Sequence, residues 1–202
     1  MSLATATWVD ALEPGAPDIA AAWRGVEDGA FLSVRREVRR RAGQGSADRT
    51  VAQLATLAAA LGAFVETASE ETLRAPGGEE DWNVAQAIGH ACDARAGLSL
   101  AAGLAAAGRF PADAPTVVPG IPGSPDADRA TLLRKIAQSQ RLIERAARTV
   151  AGHETEPCPL VHPLVGRLRC GEWLLFAGVH DLMHLEQLQD LAGRTQPEGP
   201  PP

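Results

Sequence analysis

Two histidines four residues apart, His180 and His184, sit within the stretch GEWLLFAGVHDLMHLEQLQDLAG, Gly171 to Gly193. The stretch reads as one amphipathic helix. At about 100° per residue, the pair shares a face with Trp173, Phe176, Gln187 and Leu191, which is the apolar and therefore buried face. Imidazoles at i and i+4 lie about 6 Å apart and converge on a common point, as a divalent metal requires of two ligands from one helix. Two unsatisfied imidazoles in a low-dielectric interior would cost several kcal/mol, and a bound metal removes that cost. The pair needs a third ligand.

The remaining histidines are His90, His153 and His162. His153 follows Gly152, where an imidazolium near a helix C-terminus needs no metal to explain it. His162 could join Cys158 and Cys170, but structural zinc sites want four ligands in tighter pairs than this set offers. His90 lies at the edge of an apolar stripe beside Ala87 and Ala94. A lone histidine there is usually a core residue with one hydrogen-bond partner, yet it comes from a separate helix and can face the pair across a core. It is the best third ligand. Three histidines without an evident fourth protein ligand leave a position open to water or substrate, which marks a catalytic site rather than a structural one. Asp181 and Glu186 point about 100° and 120° away from the histidine face and read as solvated surface acids. Gln187, one turn beyond His184, is the candidate to orient a ligand from behind, although a buried glutamine can equally fill a packing defect. Trp82 and Trp173 are candidate pocket walls for which core packing is the competing explanation.

The elements that must position these side chains are helices. Alanine and leucine dominate the 202 residues, tyrosine is absent and aromatics are 4%; that composition favours helices packed through small side chains over a sheet. The length suits one core with an extension. A formal net charge of −6 argues against a generic nucleic-acid binder. The basic run Arg35 to Arg41 reads as a solvated helix face. The first residues, MSLATATWVDALEPG, lack a basic start and an apolar run, and no stretch approaches the ~20 uninterrupted apolar residues of a membrane span. Three cysteines without CxxC spacing suggest a reduced, cytoplasmic protein.

Residues 1–47 are expected to form an N-terminal extension with a helix from about Asp18 to Arg41 and a GQGS linker, packing on the main body or on a second subunit. A helix should then start near Asp48 or Thr50, with Thr50 and Gln53 as a capping box, and run to about Leu73. Asn83 and Gln86 make the same reciprocal cap after Trp82 for a second helix that stops at Gly108. Arg109 to Pro125 carries five prolines. Such a connector can span more than ~50 Å, against about 36 Å for a 24-residue helix, so the helices it joins can run parallel. Ser124-Pro125-Asp126 should open a third helix ending at Gly152. The loop EPCPLVHPLVGRLRC leads into the histidine helix. These elements predict an all-α four-helix bundle over 48–193 with a long crossover between its second and third helices, and a disordered Pro-rich tail at 194–202.

WNVAQAIGH, Trp82 to His90, resembles the tryptophan, capped helix start and histidine of the second helix of the DinB/YfiT-like metalloenzymes. HPLVGRLRCGEWLLFAGVHDLMHLEQL, His162 to Leu188, is similar to their fourth helix and the loop before it, with HxxxHxxQ intact. The resemblance covers about residues 48–193. It implies up-down-down-up topology, one divalent ion (zinc or nickel, otherwise iron or manganese) on His90, His180 and His184, and a homodimer. It also implies an S-transferase joining a small-molecule thiol, of the bacillithiol or mycothiol type, to an electrophile; from the charge and the lack of an apolar span, no nucleic-acid or membrane partner is expected. Iron-dependent ergothioneine sulfoxide synthases share HxxxHxE but carry a further large domain that this chain lacks. The alternatives are a hydrolase using metal-bound water and a non-catalytic, metal-stabilised stress or interaction protein.

Overall fold

In the computed structural model, residues 6–27, 30–76, 82–118 and 120–194 are described. Four long helices make the body: α4 (Ala47–Thr67), α6 (Val84–Ala106), α7 (Arg129–Val150) and α8 (Cys170–Arg194). Helix α6 packs against α7 and α8, and α4 packs against the same two. The fold is mainly helical, as composition predicts. Shorter helices are α1 (Ala6–Leu12), α2 (Pro17–Glu27), α3 (Phe31–Arg41) and α5 (Glu70–Arg74). The tail expected at 194–202 lies almost wholly outside the described residues.

The extension is where expectation and structure differ first. Instead of one helix over 18–41, α2 and α3 fold against each other, and a Cβ on Gly25 would stand 3.0 Å from the Val34 nitrogen. That close approach needs glycine. Both helices pack on α8, so the extension covers the body. Ile19 of α2 occupies the space that any side chain at Gly178 would need. The cap expected at Thr50 is also corrected. Helix α4 starts at Ala47, and its first amide points at Glu154 Oε1, 3.4 Å away. Gln53 instead accepts from the amides of Asp18 and Ile19 and donates to Asp18 Oδ2 at 2.8 Å, tying the extension to α4. Helix α4 breaks at Ala68, and Ser69 caps the short α5. By length and composition α4 could cross a membrane, but Leu54, Leu57, Leu61 and Val65 fill the core.

The start of α6 follows the sequence closely. Asn83 accepts from the Gln86 amide at 2.9 Å while Gln86 Oε1 accepts from the Asn83 amide at 3.1 Å. The helix ends before Gly108, whose φ of 64° is left-handed. Helix α7 begins later than Ser124-Pro125-Asp126 suggests. Asp128 is its cap and accepts from the Thr131 amide at 2.8 Å, whereas the Pro125 carbonyl accepts from Arg74 and Asn83. The crossover is thereby pinned to the head of α6.

The segment before α8 is a β-hairpin, not a loop. Strand β1 (Pro157–His162) pairs antiparallel with β2 (Gly166–Arg169). Cys158, Leu160 and Leu168 point inward on alternate positions. The outer edge of β1 takes up the crossover, because Val161 N donates to Thr116 O at 2.6 Å and Val118 N to Val161 O at 3.2 Å. Farther along, Gly123 N donates to Gln86 O at 3.0 Å, and a Cβ on Gly89 would fall 2.9 Å from the Gly123 Cα. Two glycines therefore let the crossover lie directly on α6, one residue before His90.

Candidate metal centre

His90 comes from α6, and His180 and His184 come from successive turns of α8. Their ligand nitrogens all lie within 4.8 Å of one another. The ring centroids are 5.4 Å apart for His90 and His180, 5.0 Å for His90 and His184, and 4.7 Å for His180 and His184. Among the described residues this is the group of three or more ligating side chains gathered closely enough to hold an ion. Cys158, Cys170 and His162 do not form such a group. His153 is an exposed partner of Glu156, at 2.7 Å.

The surroundings decide which nitrogens face the centre. His90 Nδ1 lies 2.7 Å from the Ile121 carbonyl. A carbonyl only accepts, so Nδ1 carries the proton and Nε2 keeps its lone pair. The crossover, seated by Gly89 and Gly123, supplies that carbonyl. His184 Nδ1 lies 3.1 Å from Gln187 Oε1, an acceptor that favours the same tautomer. His180 Nδ1 is buried with no hydrogen-bond partner. Burial, then the neighbouring imidazoles, hold His180 well below its ordinary pKa, so its ring is neutral and a lone pair is available. An orphaned buried imidazole beside two oriented ones is the donor set a divalent ion takes from histidines.

Gln187→Leu keeps the volume and removes the acceptor behind His184. It should weaken zinc binding about 10–100-fold while the metal-free protein unfolds at an unchanged denaturant midpoint. Equal zinc affinity in a competition titration with a chelating dye would remove Gln187 from the centre.

The two tryptophans separate. Trp82 lies with its ring centroid 5.0 Å from that of His90. Trp173 is fully buried, edge-on to Phe176, and neither tryptophan lines the cavity beside His90. That cavity, of about 330 Å3, lies between α6, the crossover and Leu160 of β1. The cysteines offer no nucleophile. Burial pushes the Cys92 and Cys170 thiols up to about 12 and raises Cys158 as well.

Asp181 is the correction with the largest consequence. It is not a surface acid: it is fully buried, with Oδ2 2.8 Å from Arg95 Nε of α6, itself fully buried. Arg95 also donates to Leu54 O at 2.9 Å, Ser139 Oγ at 3.3 Å and Gln140 Oε1 at 3.3 Å. Burial raises the Asp181 carboxyl to about 6 against the pull of Arg95. The pair clamps α8 to α6 one residue after His180, and so sets the rotation that turns both histidines toward His90. Glu186 is half-buried.

Fold and site together define a mainly helical protein with a three-histidine centre able to hold a metal. The model of the DinB superfamily matches residues 53–188, and the chain belongs to that superfamily. The match includes all three histidines and Gln187 and leaves out α1–α3. No curated protein and no solved structure matched the chain.

Proposed function

We propose that this protein is a divalent-metal-dependent enzyme that transfers a low-molecular-weight thiol to small electrophiles. Supporting it most is the clustering of three imidazole nitrogens within 4.8 Å, two of them with tautomers favoured by partners outside the cluster. His90, His180 and His184 would hold the ion, zinc or nickel by the imidazole-only donor set. A bound divalent ion lowers the pKa of a thiol and offers it as a thiolate at neutral pH.

The chain's residues supply the rest. The Ile121 carbonyl and Gln187 keep the ligand rings oriented. Trp82 shields one side of His90. The buried cysteines stay protonated and do not compete with the incoming thiol. In balance, R–SH and E–X give R–S–E and HX: the S–H and E–X bonds break, the S–E bond forms, and X leaves with its electron pair. The same reading takes α4, α6, α7 and α8 as an up-down-down-up bundle and the molecule in solution as a homodimer.

The test is a panel of low-molecular-weight thiols, bacillithiol and mycothiol among them, with monochlorobimane as electrophile. Zinc- or nickel-loaded protein should accelerate conjugation with at least one thiol, and chelation or His90→Ala should abolish the gain. Acceleration that survives metal removal, or none with any thiol, would sink this reading.

A further inference from the structure

Ala94, Gly97 and Ala101 follow one another along the side of α6 that lines the cavity beside His90. Val117 and Ile121 of the crossover, both more than half exposed, complete the wall. A volume of about 330 Å3 falls within the ~300–1,000 Å3 range of small-molecule sites. The surface is almost wholly apolar. Its carboxylate, Asp93, is paired with Lys135 Nζ at 2.5 Å, and its one imidazole is His90.

Gly97 stands apart from the packing glycines of the same helix. A Cβ on Gly89 would fall 2.9 Å from the Gly123 backbone, and one on Gly103 3.3 Å from Ala146, whereas at Gly97 nothing lies within 4 Å. Its backbone is not left-handed. Glycine inside a helix is unfavourable, and neither packing nor φ demands it here. Gly97 lines the cavity, and a side chain there would project into open space.

We propose that this cavity receives an uncharged apolar arm of the substrate, an alkyl chain or a single aromatic ring, with the reacting end at His90, and that Gly97 sets the size of that arm. The word substrate rests on the transferase reading; binding of the arm does not. Charged groups are disfavoured by the apolar wall, which offers them no partner.

The experiment uses the zinc-loaded full chain and a series of straight-chain alkanols from ethanol to 1-octanol, followed by calorimetry and by the NMR signals of the histidine rings. Affinity should rise about fourfold per methylene, with the His90 signals shifting. Gly97→Phe should weaken 1-octanol at least tenfold at unchanged zinc content. Ala94→Leu, a smaller filling change, should weaken it in the same direction and serves if Gly97→Phe does not fold. Affinity that is indifferent to both substitutions, or a shift confined to signals away from His90, would overturn the proposal. Alkanol binding as expected without thiol transfer to any electrophile defeats the transferase reading alone. Thiol transfer that is indifferent to alkyl length and to Gly97→Phe defeats the cavity assignment alone.

Discussion

Replacing any one of His90, His180 and His184 by alanine is expected to abolish stoichiometric metal binding, with zinc affinity falling more than the ~10–100-fold typical of outer-shell partners. The reason lies in the donor count. With three nitrogens within 4.8 Å and, among the described residues, no carboxylate or thiolate gathered with them, loss of one leaves two ligands, too few for a stable zinc site. Thermodynamic linkage gives the same experiment a second readout. Zinc at about 100 times its dissociation constant should stabilise the wild-type protein by about 2.7 kcal/mol, and each single variant should lose that increment. The three should be equivalent in this respect even though His90 comes from a different helix. A variant at His90 that kept full occupancy while those at His180 and His184 lost it would remove α6 from the centre.

Asp181→Ala is expected to be the most destabilising single change near the site. Removing one partner of a buried ion pair costs about 3–5 kcal/mol, because the remaining charge is left without compensation. That is a large part of the roughly 5–15 kcal/mol by which domains are stable. The contrast is Arg24 with Asp10 and Glu13, all about half exposed, where solvent screens the charges and breaking a pair should leave the midpoint almost unmoved. Denaturant unfolding checks both, with a lowered midpoint and an unchanged slope expected for Asp181→Ala. Arg95→Met combined with Asp181→Leu should recover much of the loss, as buried pairs replaced by apolar groups often do. Asp181→Ala should also weaken zinc, because the clamp fixes the rotation of α8. If the double variant is no more stable than Asp181→Ala, the cost does not arise from the orphaned guanidinium.

The histidine pair and the Asn83–Gln86 cap were legible in the sequence because each rests on spacing along one helix, and His90 followed as the best of the remaining histidines, at the edge of an apolar stripe of another helix. Asp181 was not. A helical wheel places it off the histidine face, and on an ordinary amphipathic helix that face is wet. Here every residue from Cys170 to Val179 is buried, because α2 and α3 lie on the side of α8 that solvent would otherwise occupy. Asp181 itself faces Arg95 of α6, whose further partners Leu54, Ser139 and Gln140 come from α4 and α7, so its burial is set by the bundle around α8 and not by the pattern along it. The hairpin had a signal in the inward alternation of Cys158 and Leu160, but the prolines beside them masked it. Its effect reaches the site indirectly: β1 holds the crossover, and the crossover brings the Ile121 carbonyl to His90. His180, His184 and Gln187 are related by helix phase along α8. The carbonyl and the clamp are products of tertiary packing.

The measurement that bears most directly on the centre is anomalous scattering from crystals of the zinc-loaded protein, recorded on both sides of the zinc edge. One peak should appear about 2.0–2.1 Å from a nitrogen of each of His90, His180 and His184, with no protein atom in a fourth position. A peak seated on Cys158, Cys170 or His162, or no peak at the three histidines at full zinc loading, would contradict the account.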